Sequence, residues 1–555
     1  MKYVIGVDFG SESARAILMN TETGICHKSV SQTYEHGIIT GKLFGKPLKH
    51  DTVLQHPNDY LSVLTTLVHQ LLEEPGVSAQ QIIGIGIDFT SCTVVPVDEE
   101  FTPLLHQQRF WENPHAYVKL WKHHAAEEEA KKLNEQCRQD KWIERYGHIV
   151  SSEWLLPKIM EIANDDPHFF NEVAYFMEAG DWLVSTLTGT LSRSSCFAGY
   201  KGMWSKQDGF ISNEQLRKIH HALPMIYDTK LRGTVQSIGQ RAGYLTEEIA
   251  SRLRLTTKTA VGVAIIDAHA ALLGAGVSQP NELVMVMGTS TCHLMVHDKE
   301  IFVPGISGVV EDGILPGAFA YESGQVAVGD LFAYFMKNHV PSNVVEESEE
   351  RDISIFQLLE EQATALQPGE NQLIVLDYHN GNRTPYVNGQ LSGVVVGETL
   401  TTTTAMLYRG YLESFVNATR VIIELYEAHG LPVQRLIATG GIPQKNKLLM
   451  QLYADILQKE IEVCVEQQVP AVGAAILGAM AATPEDGGFT HIEDAIEKLC
   501  QKEVLIYQPN VATKKIYDEL FSCYKELSEY FAEKSAMMGK LKQLKYTEEK
   551  MGNVK

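Results

Sequence analysis

The stretch "YVIGVDFGSESARAILMN" (3–20) sets an acid, Asp8, a glycine, Gly10, two hydroxyls, Ser11 and Ser13, and a guanidinium, Arg15, in a polar break between two apolar runs. A tight turn of this composition leaves several backbone N–H groups facing one concavity, which suits phosphate oxygens. Glycine there lets the backbone approach the ligand closely. A carboxylate beside such a nest suits Mg2+, held largely through water. On that reading Asp8 serves the metal, and Gly10, Ser11, Ser13 and Arg15 serve the phosphates. A second break, "VMGTSTCHLM" (286–295), puts Gly288, Thr289 and Ser290 between two apolar runs and would clamp the phosphates from the other side. A third, "LIATGGIPQKN" (436–446), carries Gly440 and Gly441 after a strand, where a flat adenine could lie against backbone with no Cβ in the way. Taken singly, each break also has the composition of an ordinary turn, and Asp267 in "VAIIDAHAALLGAG" (263–276) has that of a helix N-cap.

The elements around these residues must present them at strand ends. Tyr3–Val7 and Ala14–Met19 read as buried strands and His27–Tyr34 as a third. "HPNDYLSVLTTLVHQLLEEPG" reads as a helix with Asn58 as N-cap, an apolar face of Leu61, Leu64, Val68 and Leu71, and a stop at Pro75-Gly76. "QIIGIGIDFTSCTVVPVD" follows as strand, loop and strand. The second half reopens with the same layout: Leu283–Met287, a polar break, then Thr291–Val296. A long helix follows, ended by Gly430 at C′, and a further helix carries Pro470 in its first turn. Two α/β halves with matching hairpin openings point to a duplicated core. The charge run at 343–351 reads as an exposed linker or helix start, and the last fifty residues as helical hairpin material with a basic end.

The 555 residues supply more than one core, and a formal charge of -22 argues against nucleic acid and against acidic membranes as partners. It does not argue against one small anion, because a site is local and net charge is global. Eight cysteines stand far apart with no CxxC pair, which disfavours a zinc ribbon and fits a reducing cytoplasm. No run of about 18 apolar residues reads as a membrane span. There is no GxxxxGK[ST] and no GxGxxG, so neither a P-loop nor a dinucleotide fingerprint is present.

The combination resembles the actin-like ATPase superfamily and, within it, the FGGY carbohydrate kinases, over about residues 3–485. "DFGSESAR" and "VMGTSTCHLM" resemble its two phosphate loops, "IGIGIDFTSCTVVPVD" and "PAVGAAILGAM" its connecting segments, and "LIATGGIPQKN" its adenosine segment. "SSEWLLPKIMEI" resembles its Pro-Lys helix and "YRGYLESFVNATR" its C-domain helix. "CFAGYKGMW" and "NGNRTP" are most similar to the ribulose-phosphorylating branch. Where many relatives carry an Asp in a "W.D.R" segment, "FWENPHAY" has Asn113 and His115, so Trp111, Asn113 and His115 receive no role.

The resemblance implies two actin-like (ribonuclease H-like) α/β domains with an interdomain cleft. A sugar-binding unit would span 1–278, a nucleotide-binding unit 279–500 and a helical extension 501–555. It implies transfer of the γ-phosphoryl group of MgATP to L-ribulose, giving L-ribulose 5-phosphate in L-arabinose catabolism. Asp267 would be the general base and, with Lys201 in "AGYKG" and Glu322 in "YESGQ", would bind the sugar. Asn446 would join Gly440 and Gly441 at ATP. A homodimer is compatible with this reading. The competing expectations are a kinase for xylulose, another pentulose or a polyol, and an actin-like ATPase chaperone. Asp267 in its motif and the AGYK segment speak against the chaperone.

Overall fold

The computed structural model describes residues 1–500 and 503–552, with side chains described through 544. Its two large sheets have the same topology. In the first, β1 (Tyr3–Phe9) and β2 (Ser13–Asn20) form a hairpin and β3 (Cys26–Thr33) adds to β2 antiparallel. On the other side of β1, β4 (Ile82–Phe89) lies parallel, followed by antiparallel β5 (Arg241–Tyr244) at the edge and parallel β6 (Ala260–Gly262) between them. The second sheet repeats this. β7 (Glu282–Met287) and β8 (Thr291–His297) form the hairpin, β9 (Phe319–Gln325) adds to β8, and β10 (Arg435–Thr439) lies parallel to β7. β11 (Ile461–Cys464) continues parallel and β12 (Val504–Tyr507) closes the edge antiparallel. The spatial orders β5-β6-β4-β1-β2-β3 and β12-β11-β10-β7-β8-β9 therefore correspond in position and direction, although the strand Gly308–Glu311 extends the second sheet beyond β9 and the edge strand β5 precedes its neighbour in the chain whereas β12 follows its own.

β1 and β4 are buried throughout, as Val- and Ile-rich strands of a parallel sheet covered on both faces should be. Their glycines mark a close approach. The helix Val469–Ala481 lies so near that a Cβ on Gly6 would stand 2.0 Å from Ala471 O, and one on Gly86 1.7 Å from Ala474 O. The same helix crosses the helix Asp267–Gly274 on small residues, where a Cβ on Gly473 would stand 1.9 Å from Ala270 O. Residues 469–499 lie in the chain between β11 and β12 of the second sheet. Nevertheless Val472, Ile476 and Leu477, with Ile492 and Ile496 of the next helix, join the core of the first sheet. Val284, Leu294 and Ile437 of the second sheet belong to that same core, which ties the two units at the base of the cleft.

Two sequence expectations change and one of two open alternatives is settled. Pro57, not Asn58, precedes the helix Asn58–Leu72, and Asn58 sits inside the first turn with its Oδ1 turned to His106. Of the two readings of the charge run, the helix is the one observed, Ser342–Glu350. The segment expected to be helical from 501 contains β12, which completes the second sheet before the helices Lys514–Glu529 and Met537–Gly552. Gly430 does follow its helix with φ +80°. No helix among the described residues is long and apolar enough to cross a membrane.

Candidate active site

Three carboxylates meet at the C-terminal edge of the first sheet. Asp8 and Asp88 are register partners on the parallel strands β1 and β4. The short strand Ile265–Ile266 pairs with Asp88 and Phe89 and delivers Asp267 beside them. Arg15, opposite Asp8 in the hairpin, reaches it at 3.1 Å. Both Asp88 oxygens are buried and meet no hydrogen-bond donor. Burial raises the Asp8 carboxyl, with Arg15 pulling the other way. Burial and the neighbouring Asp8 and Asp267 raise Asp88 much further. A hard divalent cation fits this donor set: unpartnered carboxylate oxygens beside a hydroxyl-bearing loop, with negative charge that the protein itself leaves in excess.

Above this edge the first loop is closed by Gly10 N–H donating to Ser13 O at 3.0 Å. It is braced from outside: Tyr34 O–H donates to Gly10 O, Gln55 Nε2 to Ser11 O, and Trp121 Nε1 to Ser11 Oγ at 2.9 Å. The second loop closes in the same way, Gly288 N–H donating to Ser290 O at 2.9 Å, and Val328 and Gly329 N–H donate to its carbonyls. Gly288 and Thr289 are exposed and Ser290 half-buried. The two loops thus end equivalent hairpins in the two sheets.

Gly440 and Gly441 follow β10, which is parallel to β7, so they lie beside the second loop. They differ in kind. Gly440 has φ +107°, and a Cβ there would stand 2.3 Å from Met287 O, so this glycine is required by its own backbone. A Cβ on Gly441 would meet nothing within 4 Å. Asn446, expected among the nucleotide contacts, is buried with both polar ends occupied. Its Oδ1 accepts from Leu449 N–H at 2.8 Å as a helix cap, and its Nδ2 donates to Tyr408 O–H at 2.9 Å. It therefore positions the helix Lys447–Leu457, with one Nδ2 hydrogen and one Oδ1 lone pair left beyond these two bonds.

On the other side of Asp267 lies a charged chain linking the two units. Lys201, at the end of the helix Ser195–Lys201, donates to both Glu322 oxygens at 3.1 and 3.0 Å. Glu322 sits on β9, and its Oε2 is also 3.2 Å from His269 Nε2, whose Nδ1 faces Cys196 Sγ at 3.0 Å. Burial alone would raise Glu322, but Lys201 and His269 hold it well below the usual carboxylate range. Lys201 is raised, Glu322 outweighing burial, and its ammonium stands 5.3 Å from the centre of the Trp154 ring. Asp267 accepts from Ala268 N–H at 2.7 Å through Oδ1, and no described residue donates a hydrogen bond from its side chain to Oδ2. Burial first, then the charge of Asp8, pushes its carboxyl up to about 7.

Trp111 is half exposed, and Asn113 bonds Asp166 while capping its own turn. His115 lies 3.8 Å from Asp165. These contacts fasten a loop to the helix Leu155–Asp165. Two residues of the cluster were missed in the sequence, Asp88 and His269. Asp88 had a signal: "GVDFGS" at 6–11 is echoed by "GIDFTS" at 86–91, and Phe9 stacks on Phe89 with centroids 4.8 Å apart.

Residues 3–274 match the N-terminal domain of the FGGY family of carbohydrate kinases, and residues 283–482 match its C-terminal domain. The chain is 44% identical to a ribulokinase of Anoxybacillus flavithermus over 98% of each chain, and 44% identical to one of Geobacillus thermodenitrificans at the same coverage. Among solved structures, a xylulose kinase from Rhodospirillum rubrum superposes with a TM-score of 0.79 at 20% identity, covering 95% of this chain and 98% of that one. A Plasmodium falciparum glycerol kinase with ADP superposes with a TM-score of 0.75 at 17% identity, covering 95% and 98%. The structural likenesses establish the shared two-unit, actin-like fold. With both halves matched and the cleft between them carrying glycine–hydroxyl loops and acids, the chain belongs to the FGGY family of carbohydrate kinases, enzymes that phosphorylate sugars with ATP.

Proposed function

We propose that this sugar kinase is a ribulokinase, phosphorylating L-ribulose to L-ribulose 5-phosphate in L-arabinose catabolism. The observation that carries the proposal is the 44% identity to ribulokinases over 98% of the chain. The Lys201–Glu322 pair adds chemical support, because a buried ammonium and carboxylate can each bond a sugar hydroxyl while compensating one another.

In this reading Asp267 accepts the proton of the attacking hydroxyl through its Oδ2. A base with a carboxyl near 7 is well matched to proton transfer at neutral pH. Lys201 and Glu322 orient the sugar. The backbone N–H groups and hydroxyls of Gly10–Ser13 and Gly288–Ser290, with Arg15, hold the phosphates. Gly440 and Gly441 admit the adenine. Asp8 and Asp88 would hold Mg2+, largely through water, and that ion supplies neutralisation of the β- and γ-phosphate charge. Catalysis is then mainly positioning plus electrostatic stabilisation, completed as the units close and exclude water. The proposed division is 1–278 for sugar, 279–500 for nucleotide and 501–555 as extension, in a cytoplasmic enzyme that forms a homodimer.

The test is Mg2+-dependent ADP release over both enantiomers of ribulose and xylulose, with ribitol, arabitol and glycerol. L-ribulose should give the highest kcat/KM. A clear preference for another sugar would overturn the substrate assignment, and equal ADP release with and without every sugar would overturn the kinase reading.

A further inference from the structure

We infer that Arg383 is a catalytic residue of the phosphoryl transfer, its guanidinium receiving the phosphoryl group between the second phosphate loop and the sugar hydroxyl. The inference rests on the cleft assignment above, and nothing in the loop–acid–sugar reading requires it.

Arg383 belongs to the "NGNRTP" segment, far in sequence from every other group in the cleft. Gly324 fixes its place. Gly324 N–H donates to Thr384 Oγ1 at 3.3 Å, and Arg383 Nη1 lies 3.5 Å from the point a Cβ on Gly324 would occupy. The guanidinium thus packs over bare backbone of β9. Side chains two apart on a strand share a face, so Gly324 and Glu322 look the same way, toward Lys201 and His269. Across the ladder Gly324 faces Cys292, and Glu322 faces Leu294.

β8 starts directly after the loop Gly288–Ser290. Along this face the order is therefore phosphate loop, then Cys292 with Gly324 and Arg383, then Leu294 with Glu322 and Lys201. At roughly 3.3 Å per residue, Ser290 and Leu294 are about 13 Å apart, and Arg383 stands near the middle. Within that interval the γ-phosphoryl held by the loop and the sugar hydroxyl must be brought into contact for transfer.

The other cations of the cleft are paired, Arg15 with Asp8 and Lys201 with Glu322. Arg383 is half-buried, yet among the described residues it has no ion pair and no hydrogen-bond acceptor. Cys292, Glu153 and Glu322 act on it only at longer range. A largely desolvated guanidinium with free donors is unfavourable unless a ligand anion meets it. Its planar fork matches two phosphoryl oxygens at once.

In the transfer, the sugar oxygen forms a bond to the γ-phosphorus as its proton passes to Asp267. The bond from that phosphorus to the β,γ-bridging oxygen breaks, and ADP leaves with the electron pair. Negative charge is spread over the three equatorial oxygens in between, and Arg383 is placed to bind two of them there more strongly than in either ground state.

The test uses full-length R383Q, R383K and R383A, with whichever panel sugar drives ADP release in the wild type, so a different sugar preference leaves it intact. In R383Q, kcat should fall about 10³-fold, with KM for ATP and sugar within about threefold. R383K keeps the charge but not the fork and should recover less than about a tenth of wild-type turnover. ADP with aluminium fluoride and sugar, a mimic of the phosphoryl in flight, should bind wild type tightly and R383Q no better than ADP alone. Guanidinium ion should restore turnover to R383A. Turnover within threefold of wild type in R383Q would overturn the assignment, as would undiminished binding of the fluoride complex. If R383Q fails to fold, the decision falls to R383A, where absence of rescue in protein that still binds ADP overturns it equally.

Discussion

Asp8 and Asp88 occupy one register position on adjacent parallel strands, so two buried carboxylates stand side by side while Arg15 pairs with Asp8 alone. Such a pair opposes folding and is relieved when one group is protonated or a cation arrives. The arrangement makes sense as stored electrostatic potential for a metal-bound triphosphate.

The first prediction follows. Asp88→Asn keeps the shape, removes the repulsion and removes half of the carboxylate pair. At pH 8 its thermal midpoint should rise above wild type, while kcat falls about 10²–10³-fold, the scale of one lost electrostatic group in an active site. Melting curves and steady-state kinetics on one preparation check it. A lower midpoint with normal turnover would make Asp88 a structural residue only.

What was legible in the sequence was local. A break of Gly and Ser between two apolar runs forces a hairpin, so both hairpin loops could be read from a dozen residues each. Asp88 was harder because "IIGIGIDF" reads as core from end to end, and its acid is distinguished only by the echo of Asp8. The allegiance of Val469–Ala481 was not legible: a helix of Ala, Gly and Val has no polar face to indicate which sheet it will cover, and Gly6, Gly84 and Gly86 decide that at a distance. Asn446 reads from its neighbours as part of a ligand loop, and its bonds to Leu449 and Tyr408 add a helix-positioning role that no spacing encodes. Arg383 enters the cleft by a loop whose place depends on Gly324, a tertiary fact no spacing encodes.

The two glycines after β10 give a second prediction. Gly440→Val places a branched residue at φ +107° against Met287 O, so it should lower the melting temperature and solubility before any effect on ATP can be read. Gly441→Val fills open space at the proposed adenine position and should fold normally. ATP affinity should weaken at least about tenfold, roughly 1.4 kcal/mol, with sugar affinity unchanged. Calorimetry with each ligand decides, and unaltered ATP binding in folded Gly441→Val would remove this turn from the nucleotide site.

A third prediction concerns the seam between strands and helix. Gly86→Ala puts a methyl 1.7 Å from Ala474 O, and neither backbone can move without shifting the helix that carries the base of the cleft. Overpacking usually destabilises by about 1–3 kcal/mol, and a backbone clash belongs at or above the upper end. Chemical denaturation should show that loss. A midpoint equal to wild type would mean that the helix can slide along β4.

The fourth prediction tests the base. Asp267→Asn retains an oxygen to accept Ala268 N–H but cannot take up the sugar proton. Turnover should fall about 10²–10⁴-fold, a barrier increase of roughly 3–5 kcal/mol, with ATP affinity nearly kept and sugar affinity modestly reduced. The pH dependence has a definite sign. With the carboxyl pushed up to about 7, the active ionised form is lost as pH drops, so wild-type kcat/KM for the sugar should decline below about pH 7. Bound cation favours the carboxylate, so the limb of kcat at saturating nucleotide should lie at lower pH. Stability runs the opposite way. Because the folded state holds this proton more tightly than the unfolded chain, the contribution is fully present below about pH 4 and is lost as pH rises through 7. Asp267→Asn should therefore melt higher than wild type at pH 8, by about a third as much at pH 5, and differ little from it only below about pH 4. Near-normal turnover, with an unchanged acid limb, would reduce Asp267 to a helix cap.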